Sequence, residues 1–436
     1  MRTRHATRRT AVTMLTAAAL TLLPVAGGAA LTGPPAHAAT AGPHSTASQR
    51  DHDHWQGGWA TSPQAPAAPF GPNWSQQGFA DQTVRQVVRV STGGTRARVE
   101  LSNRYGSTPL RITGATVART DNGASVRSGS LRQLSFGGHR SATVPAGSEL
   151  TSDALPFRTE ALESLTVTLY LAEPTGPATF HLISSSTSYR AQGDHRSDRA
   201  GTAFTETSDS SYYLTGVEVS GGRTTGGDGV VAFGDSITDG VGSTPDADNR
   251  YPDELAERFA ATGKPRSVVN QGIAGNQVTQ DTDWAGEKAV ARFRDDVLGE
   301  PGVGTVIVLE GINDIGAGGT GAVGTPSPEV SVAQLIAGHR SLIRQAHAKG
   351  IRAIGATLTP IGGSAYDSPV NEAKRAAVNH WIRTSGEYDA VADLDHATAD
   401  PADRTRIAPA YDSGDHLHPN DAGYHAMAES LDLSGL

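Results

Sequence analysis

Cysteine is absent from all 436 residues. No disulfide framework, thiol nucleophile or Cys-ligated zinc or iron–sulfur centre can therefore be built from this chain. An oxidising compartment is not excluded, because domains of this size bury enough apolar surface to fold without bridges. Positive charge is also in short supply: 36 Lys and Arg stand against 45 Asp and Glu, for a net charge of −9. A chain of this sign has no general pull toward nucleic acid or anionic membranes. Past the first 30 or so residues, no segment reaches the ~18–20 consecutive apolar residues that a membrane span needs. The apolar share of 37% and charged share of 19% are those of a globular chain, not a disordered one.

The N-terminus has the pattern of an export signal. Arg2, Arg4, Arg8 and Arg9 open the chain without an acid. An apolar stretch runs from Ala11 to about Ala30, and Ala36-His37-Ala38 supplies a small-x-small cleavage site. Residues 1–38 are thus expected to be a signal peptide and the protein to be secreted, with Arg8-Arg9 leaving the general and twin-arginine routes both open. The stretch 39–53 is polar and is expected to be a flexible segment. Asp51-His52-Asp53-His54 in and beside it reads as a solvated run, so no metal site is expected there.

From 54 to 219 the patterning is that of strands. Thr83 to Ser91 and Thr95 to Ser102 read as a hairpin joined through Gly93-Gly94. In the second run Ala97, Val99 and Leu101 alternate with Arg96, Arg98 and Glu100, which gives one buried face and one wet face. With further short runs at Leu110 to Ala118, Leu165 to Leu171 and Thr179 to Ser184, this half is expected to form a β-sandwich of jelly-roll-like type. Residues 220–228, Gly-rich, read as a linker. From 229 to 436 the grammar changes. Apolar runs at Gly229 to Phe233, Ser267 to Asn270, Gly304 to Leu309, Ile351 to Thr357 and Ala390 to Leu394 alternate with helical segments: Tyr251 to Thr262, Trp284 to Leu298, Val330 to Lys349, Val370 to Ser385 and a last helix from about Asp421. Such alternation predicts an open parallel α/β sheet, whose ligand sites lie at the carboxyl ends of the strands.

The residues with chemical potential fall at those ends. Ser236 follows the first strand in Phe233-Gly234-Asp235-Ser236-Ile237-Thr238-Asp239-Gly240, at the start of a helical turn. This is not the Gly-x-Ser-x-Gly elbow, because position 238 is Thr. A serine needs a base at neutral pH, and Asp415-His416-Leu417-His418-Pro419-Asn420 offers an imidazole with a carboxylate to orient it. His418 lies three residues from Asp415, a spacing that lets the two bond within a tight loop; His416 is the competing candidate. Acyl transfer also needs donors for a developing oxyanion. The N–H of Ser236, an N–H at Gly275 in Asn270-Gln271-Gly272-Ile273-Ala274-Gly275-Asn276, and the side-chain amide of Asn313 in Gly311-Ile312-Asn313-Asp314 present themselves.

These four blocks, in this order and strand context, resemble the SGNH or GDSL-type hydrolases. The resemblance covers Gly229 to Leu436. It implies a flavodoxin-like three-layer α/β/α domain and ester hydrolysis with no cofactor and no metal. It also implies Ser236 as nucleophile, His418 as base, Asp415 as its orienter, and Ser236, Gly275 and Asn313 as the oxyanion hole, with Gly272 the alternative glycine. The first half, with Trp55-Gln56-Gly57-Gly58-Trp59, is similar to a β-domain that precedes some bacterial members. Trp55 and Trp59 read as core or docking residues ahead of a sugar platform. The expected substrates are short-chain acyl or acetyl esters, on small molecules or polysaccharides. A lipase of longer acyl chains and a non-catalytic carbohydrate-binding protein are the alternatives. Neither a nucleic-acid partner nor a stable membrane anchor is expected.

Overall fold

Apolar–polar alternation between Gln56 and Ser220 produces two large antiparallel sheets beside two two-stranded ones. In one, the strands run in the order Gln56–Ala60, Leu214–Ser220, Gly94–Ser102 and Leu155–Thr159, with Glu149–Thr151 also on Gly94–Ser102. In the other the order is Glu206–Ser208, Ser188–Gln192, Gln82–Arg89, Ser164–Leu171, Gly114–Asn122 and Ser125–Val126. The computed structural model describes residues 54–222, 227–318 and 328–436, all within one compact unit. The expected signal peptide, the 39–53 segment, Asp51 to Asp53 and part of the 220–228 linker lie outside the described residues. Among the described residues no helix is long and apolar enough to cross a membrane.

The expected hairpin at Gly93-Gly94 does not form. Gln82–Arg89 and Gly94–Ser102 belong to different sheets, and the chain crosses between them at Ser91 to Gly93. The crossing is held by Ser91 N–H donating to the Gly58 carbonyl (2.8 Å) and Gly94 N–H donating to Thr159 Oγ1 (2.9 Å). Val84 and Val88 from one strand share a single core with Ala97, Val99 and Leu101 from the other. Alternation revealed the buried face of each strand but not that the two faces meet across a sandwich.

The second half is a five-stranded parallel sheet in the order Val268–Gly272, Gly229–Gly234, Val303–Leu309, Arg352–Ala356 and Ala390–Ala392. By chain position this is 2-1-3-4-5, the flavodoxin-like order, whose switch point lies between the first and third strands. Val230 to Phe233 are buried throughout, as expected for a strand covered on both faces. One helix group contains Tyr251–Ala261, Leu394–Thr398 and Asp421–Glu429; another contains Ala289–Asp296, Val332–His347 and Pro369–Thr384. The helix expected from Trp284 begins only at Ala289, because Gly286 takes a left-handed φ of 76° and leaves Trp284 in a loop. Each buried Val, Leu, Ile or Phe of this core contributes about 1.5–3 kcal/mol, against about 1 kcal/mol for a typical hydrogen bond, so packing holds the sheet.

The two halves join along the edge strand Val268–Gly272. Ser267 Oγ donates to the Gly57 carbonyl (2.6 Å), Val268 N–H to Ser91 Oγ (2.9 Å), and Ser62 Oγ to Gln271 Oε1 (2.6 Å). Ion pairs Arg89–Glu257 (2.5 Å) and Arg104–Asp295 (2.6 Å) flank this seam. The antiparallel half thereby covers an edge that would otherwise expose unpaired backbone. Trp59 packs partly buried against the sandwich core, and Arg98 sits 4.3 Å above the Trp55 ring.

Candidate active site

The strand Gly229–Gly234 ends at the switch point, and the chain turns at once into the single helical turn Ser236–Asp239. Asp235 caps that turn, its carboxylate accepting from Ile237 N–H at 3.0 Å. Ser236 is buried apart from its outward edge. Its Oγ lies 2.8 Å from His418 Nε2. On the other side of the ring, His418 Nδ1 lies 2.5 Å from Asp415 Oδ2. Since a carboxylate only accepts, Nδ1 carries the proton and Nε2 is left to accept from the serine.

Asp415 is itself fixed. Its Oδ1 accepts from the N–H groups of Leu417 and His418, each at 2.9 Å, and from Ser413 Oγ at 3.2 Å. Partial burial pushes its carboxyl upward, but the hydrogen bond and charge of His418 and these backbone donors outweigh that, so Asp415 titrates well below the usual range. Asn420 caps the helix Asp421–Glu429 by accepting from Gly423 N–H (3.0 Å), which anchors the loop to a rigid element. His416 takes a left-handed φ of 63° and pairs instead with Asp412. The loop thus holds two Asp–His pairs, and the one formed by Asp415 and His418 meets Ser236.

Gly275 and Asn313 follow the two strands that flank Gly229–Gly234 in the sheet, Val268–Gly272 and Val303–Leu309. Gly275 has φ of 79°, and a Cβ there would fall 2.2 Å from the Trp284 ring, so both backbone and space require glycine. Among the described residues, neither the Gly275 nor the Ser236 N–H meets a protein acceptor. Gly272, the alternative, donates its N–H to Asn270 Oδ1 (2.9 Å) and is not available. The Asn313 amide is pinned at both ends: Nδ2 donates to the Asn276 carbonyl (2.9 Å), and Oδ1 accepts from Tyr366 O–H (2.8 Å). Those bonds set which way the amide points and leave one N–H over. The tyrosine ring lies on Gly316, where a Cβ would come within 2.2 Å of it.

Behind the site lies a polar network that sequence reasoning missed. Arg292 is buried and donates to the carbonyls of Gly234 and Gln271 (2.8 Å each), to Asn276 Oδ1 (2.8 Å), Ser62 Oγ (3.1 Å), Asp296 (2.9 Å) and Glu310 (3.1 Å). Asp314 accepts from Val278 N–H (2.7 Å) and from both the N–H (3.1 Å) and Oγ1 (2.7 Å) of Thr279. Burial pushes Asp235 up to about 7 and Asp314 up to about 6, and raises Glu310 well above the usual range. Arg292 sits in a helical period and Tyr366 in a loop, so neither carried a local signal of its place; the motif position of Asp314 was the only hint.

A serine hydroxyl bonded to an imidazole that a carboxylate holds in turn is an arrangement able to carry out acyl transfer. No curated protein matches the chain. Solved structures similar to it include an acetylxylan esterase from Geobacillus stearothermophilus (22% identity, 47% of this chain and 92% of that one, TM-score 0.36). Another is an alpha/beta hydrolase enzyme from the metagenome of Lake Arreo, Spain (24%, 48% and 94%, TM-score 0.36). A third is a GDSL-like lipase from Bacteroides thetaiotaomicron VPI-5482 (18%, 47% and 86%, TM-score 0.35). The model of the GDSL-like Lipase/Acylhydrolase family matches residues 232–426, a span that contains every residue of the constellation just described. Residues 232–426 belong to that family, and the protein is a carboxylic ester hydrolase of the SGNH type.

Proposed function

We propose that the protein is a secreted serine esterase that cleaves short-chain acyl esters, acetyl esters foremost, carried by small molecules or polysaccharides. The contact that carries the reading is Ser236 Oγ to His418 Nε2 at 2.8 Å. His418 takes the serine proton as Oγ attacks the ester carbonyl. The tetrahedral oxyanion is met by the N–H groups of Ser236 and Gly275 and the spare N–H of Asn313. Asp415 stabilises the imidazolium, which then protonates the departing alcohol. Water hydrolyses the acyl-enzyme with His418 again as base.

Ser236→Ala is expected to abolish turnover of p-nitrophenyl acetate while leaving the thermal transition in place; turnover at the wild-type rate would refute the nucleophile. A panel from acetyl to palmitoyl esters, with acetylated xylan, tests the substrate class, and a maximum at long chains would favour a lipase. Export predicts a mature N-terminus at Ala39 by mass spectrometry of the culture medium.

A further inference from the structure

His181 stands in the short strand Phe180–His181 of the antiparallel half, 55 positions before the serine, and is almost wholly buried. Its Nδ1 lies 2.9 Å from the Ser62 carbonyl. Its Nε2 lies 3.0 Å from Asp239 Oδ1 and 3.1 Å from the Ile183 carbonyl. All these partners only accept, so both ring nitrogens carry protons and the ring is an imidazolium facing the Asp239 carboxylate. Burial opposes that charge, but Asp239 outweighs it and the ring titrates above the ordinary histidine range.

Asp239 closes the Ser236–Asp239 turn and is itself buried. Its backbone N–H donates to the Asp235 carbonyl (2.8 Å), and its Oδ2 accepts from Ala274 N–H (2.9 Å). Ala274 immediately precedes Gly275. One carboxylate therefore ties the serine turn to the glycine loop, and His181 holds its other oxygen. A bidentate bracket of this kind keeps its geometry only while both oxygens are engaged. An Asp239 freed of His181 would be a buried, uncompensated charge, costly enough to rotate toward water or toward Arg250.

We infer that His181 is a positioning residue for ester hydrolysis, through which the antiparallel half sets the placement of the Gly275 N–H relative to Ser236. The inference rests on the reading of Ser236 as nucleophile and Gly275 as oxyanion donor. It separates His181 from the ion pairs across the seam. Arg104–Asp295 and Arg89–Glu257 join the same two halves but touch no residue of the site.

The test compares His181→Phe, His181→Gln and Arg104→Ala in the full chain. Fluorophosphonate labelling is run to completion to count competent sites, and kcat and KM for p-nitrophenyl acetate are expressed per labelled site. His181→Phe is expected to lower kcat about 10- to 100-fold with KM within about twofold, the scale of a displaced oxyanion donor. Gln restores one N–H toward Asp239, so His181→Gln should fall between Phe and wild type. Arg104→Ala should keep kcat per site within about twofold, whatever it does to the melting temperature. Wild-type kcat per site in His181→Phe would overturn the inference. So would a loss in Arg104→Ala equal to that in His181→Phe. If His181→Phe does not fold, His181→Gln decides: wild-type kcat and KM there overturn the inference. Wild-type protein left unlabelled, or active Ser236→Ala, would sink the esterase mechanism instead, so the two failures are distinguishable.

Discussion

The proposed oxyanion site is open to a graded test at Asn313. Its side-chain amide has two N–H bonds. One is spent on the Asn276 carbonyl at 2.9 Å, and Tyr366 O–H at 2.8 Å from Oδ1 prevents the amide from flipping. A single N–H is thus left for the oxyanion, already oriented before substrate arrives. Removing one such preorganised donor costs about 2.7–4 kcal/mol of transition-state stabilisation, or about 10²–10³ in kcat. Asn313→Ala should show that loss in kcat with KM nearly unchanged, because the bond strengthens only as charge develops. Tyr366→Phe leaves the donor in place but removes the group that orients it. A neutral hydrogen bond of about 1 kcal/mol corresponds to about a fivefold loss. Burial raises the Tyr366 hydroxyl well above its ordinary range, so it remains a donor at any working pH. The assay is steady-state hydrolysis of p-nitrophenyl acetate, with active sites counted by titration. A loss under tenfold in Asn313→Ala, or one carried by KM, would refute the donor role. A Tyr366→Phe loss as large as that of Asn313→Ala would refute the hierarchy.

Three further outcomes follow from the same geometry. Asp415→Asn should cut kcat about 10³–10⁴-fold by presenting the wrong ring tautomer to Ser236, whereas His416→Ala, whose partner is Asp412, should stay within about twofold; comparable losses in kcat from the two variants would show that the wrong pair had been chosen. Gly275→Ala forces a side chain into a left-handed backbone and against Trp284, so calorimetry should record a lower melting temperature and steady-state assays a lower kcat; unchanged values of both would exclude the geometry. Asp235 is raised by burial to about 7, so its contribution to stability is fully present below the unfolded value near 4 and is lost as pH rises through about 7. Asp235→Asn should therefore gain in melting temperature relative to wild type between pH 4 and pH 7 and level off above; a pH-independent difference in differential scanning fluorimetry would contradict this.

How much of this was legible before the structure depends on how local each signal is. Ser236, Gly275, Asn313 and the Asp415–His418 pair each sit in a short block at a strand end, so local patterning and chain order suffice to propose them. The choice of His418 over His416 was readable from spacing alone, since adjacent side chains diverge in a tight loop while residues three apart can meet. Spacing from Asn270 likewise favours Gly275 over Gly272, whose N–H is taken by Asn270 Oδ1. The sheet assignment of Gln82–Arg89 and Gly94–Ser102, by contrast, failed. Alternation specifies a buried face, but two strands joined by glycines can pair or face each other, and only the rest of the sandwich decides. Tyr366, Arg292 and His181 were invisible because their partners lie 53, 58 and 58 positions away in the chain. A lone histidine between Phe180 and Leu182 reads as a core residue until Asp239 is seen opposite it.

The placement of charge then explains why this site is held by polar contacts where apolar packing would cost less. Burying Arg292, Asp235, Glu310 and Asp314 together carries a desolvation penalty that well-packed hydrophobic residues would avoid. Packing is non-directional, however, and tolerates shifts of some tenths of an ångström, whereas an oxyanion donor must meet its target at about 2.7–3.1 Å. Each segment bearing a proposed donor is fastened by bonds of fixed direction. Arg292 grips the Gly234 carbonyl just before Asp235-Ser236 and the Asn276 side chain just after Gly275. Asp239 grips Ala274 just before Gly275, and Asn313 grips the Asn276 carbonyl just after it. Gly275 has no side chain and a left-handed backbone, so nothing of its own could hold its N–H in place. Bonding on both sides supplies what the glycine lacks, and the raised titration of the buried acids marks the stability given up for it.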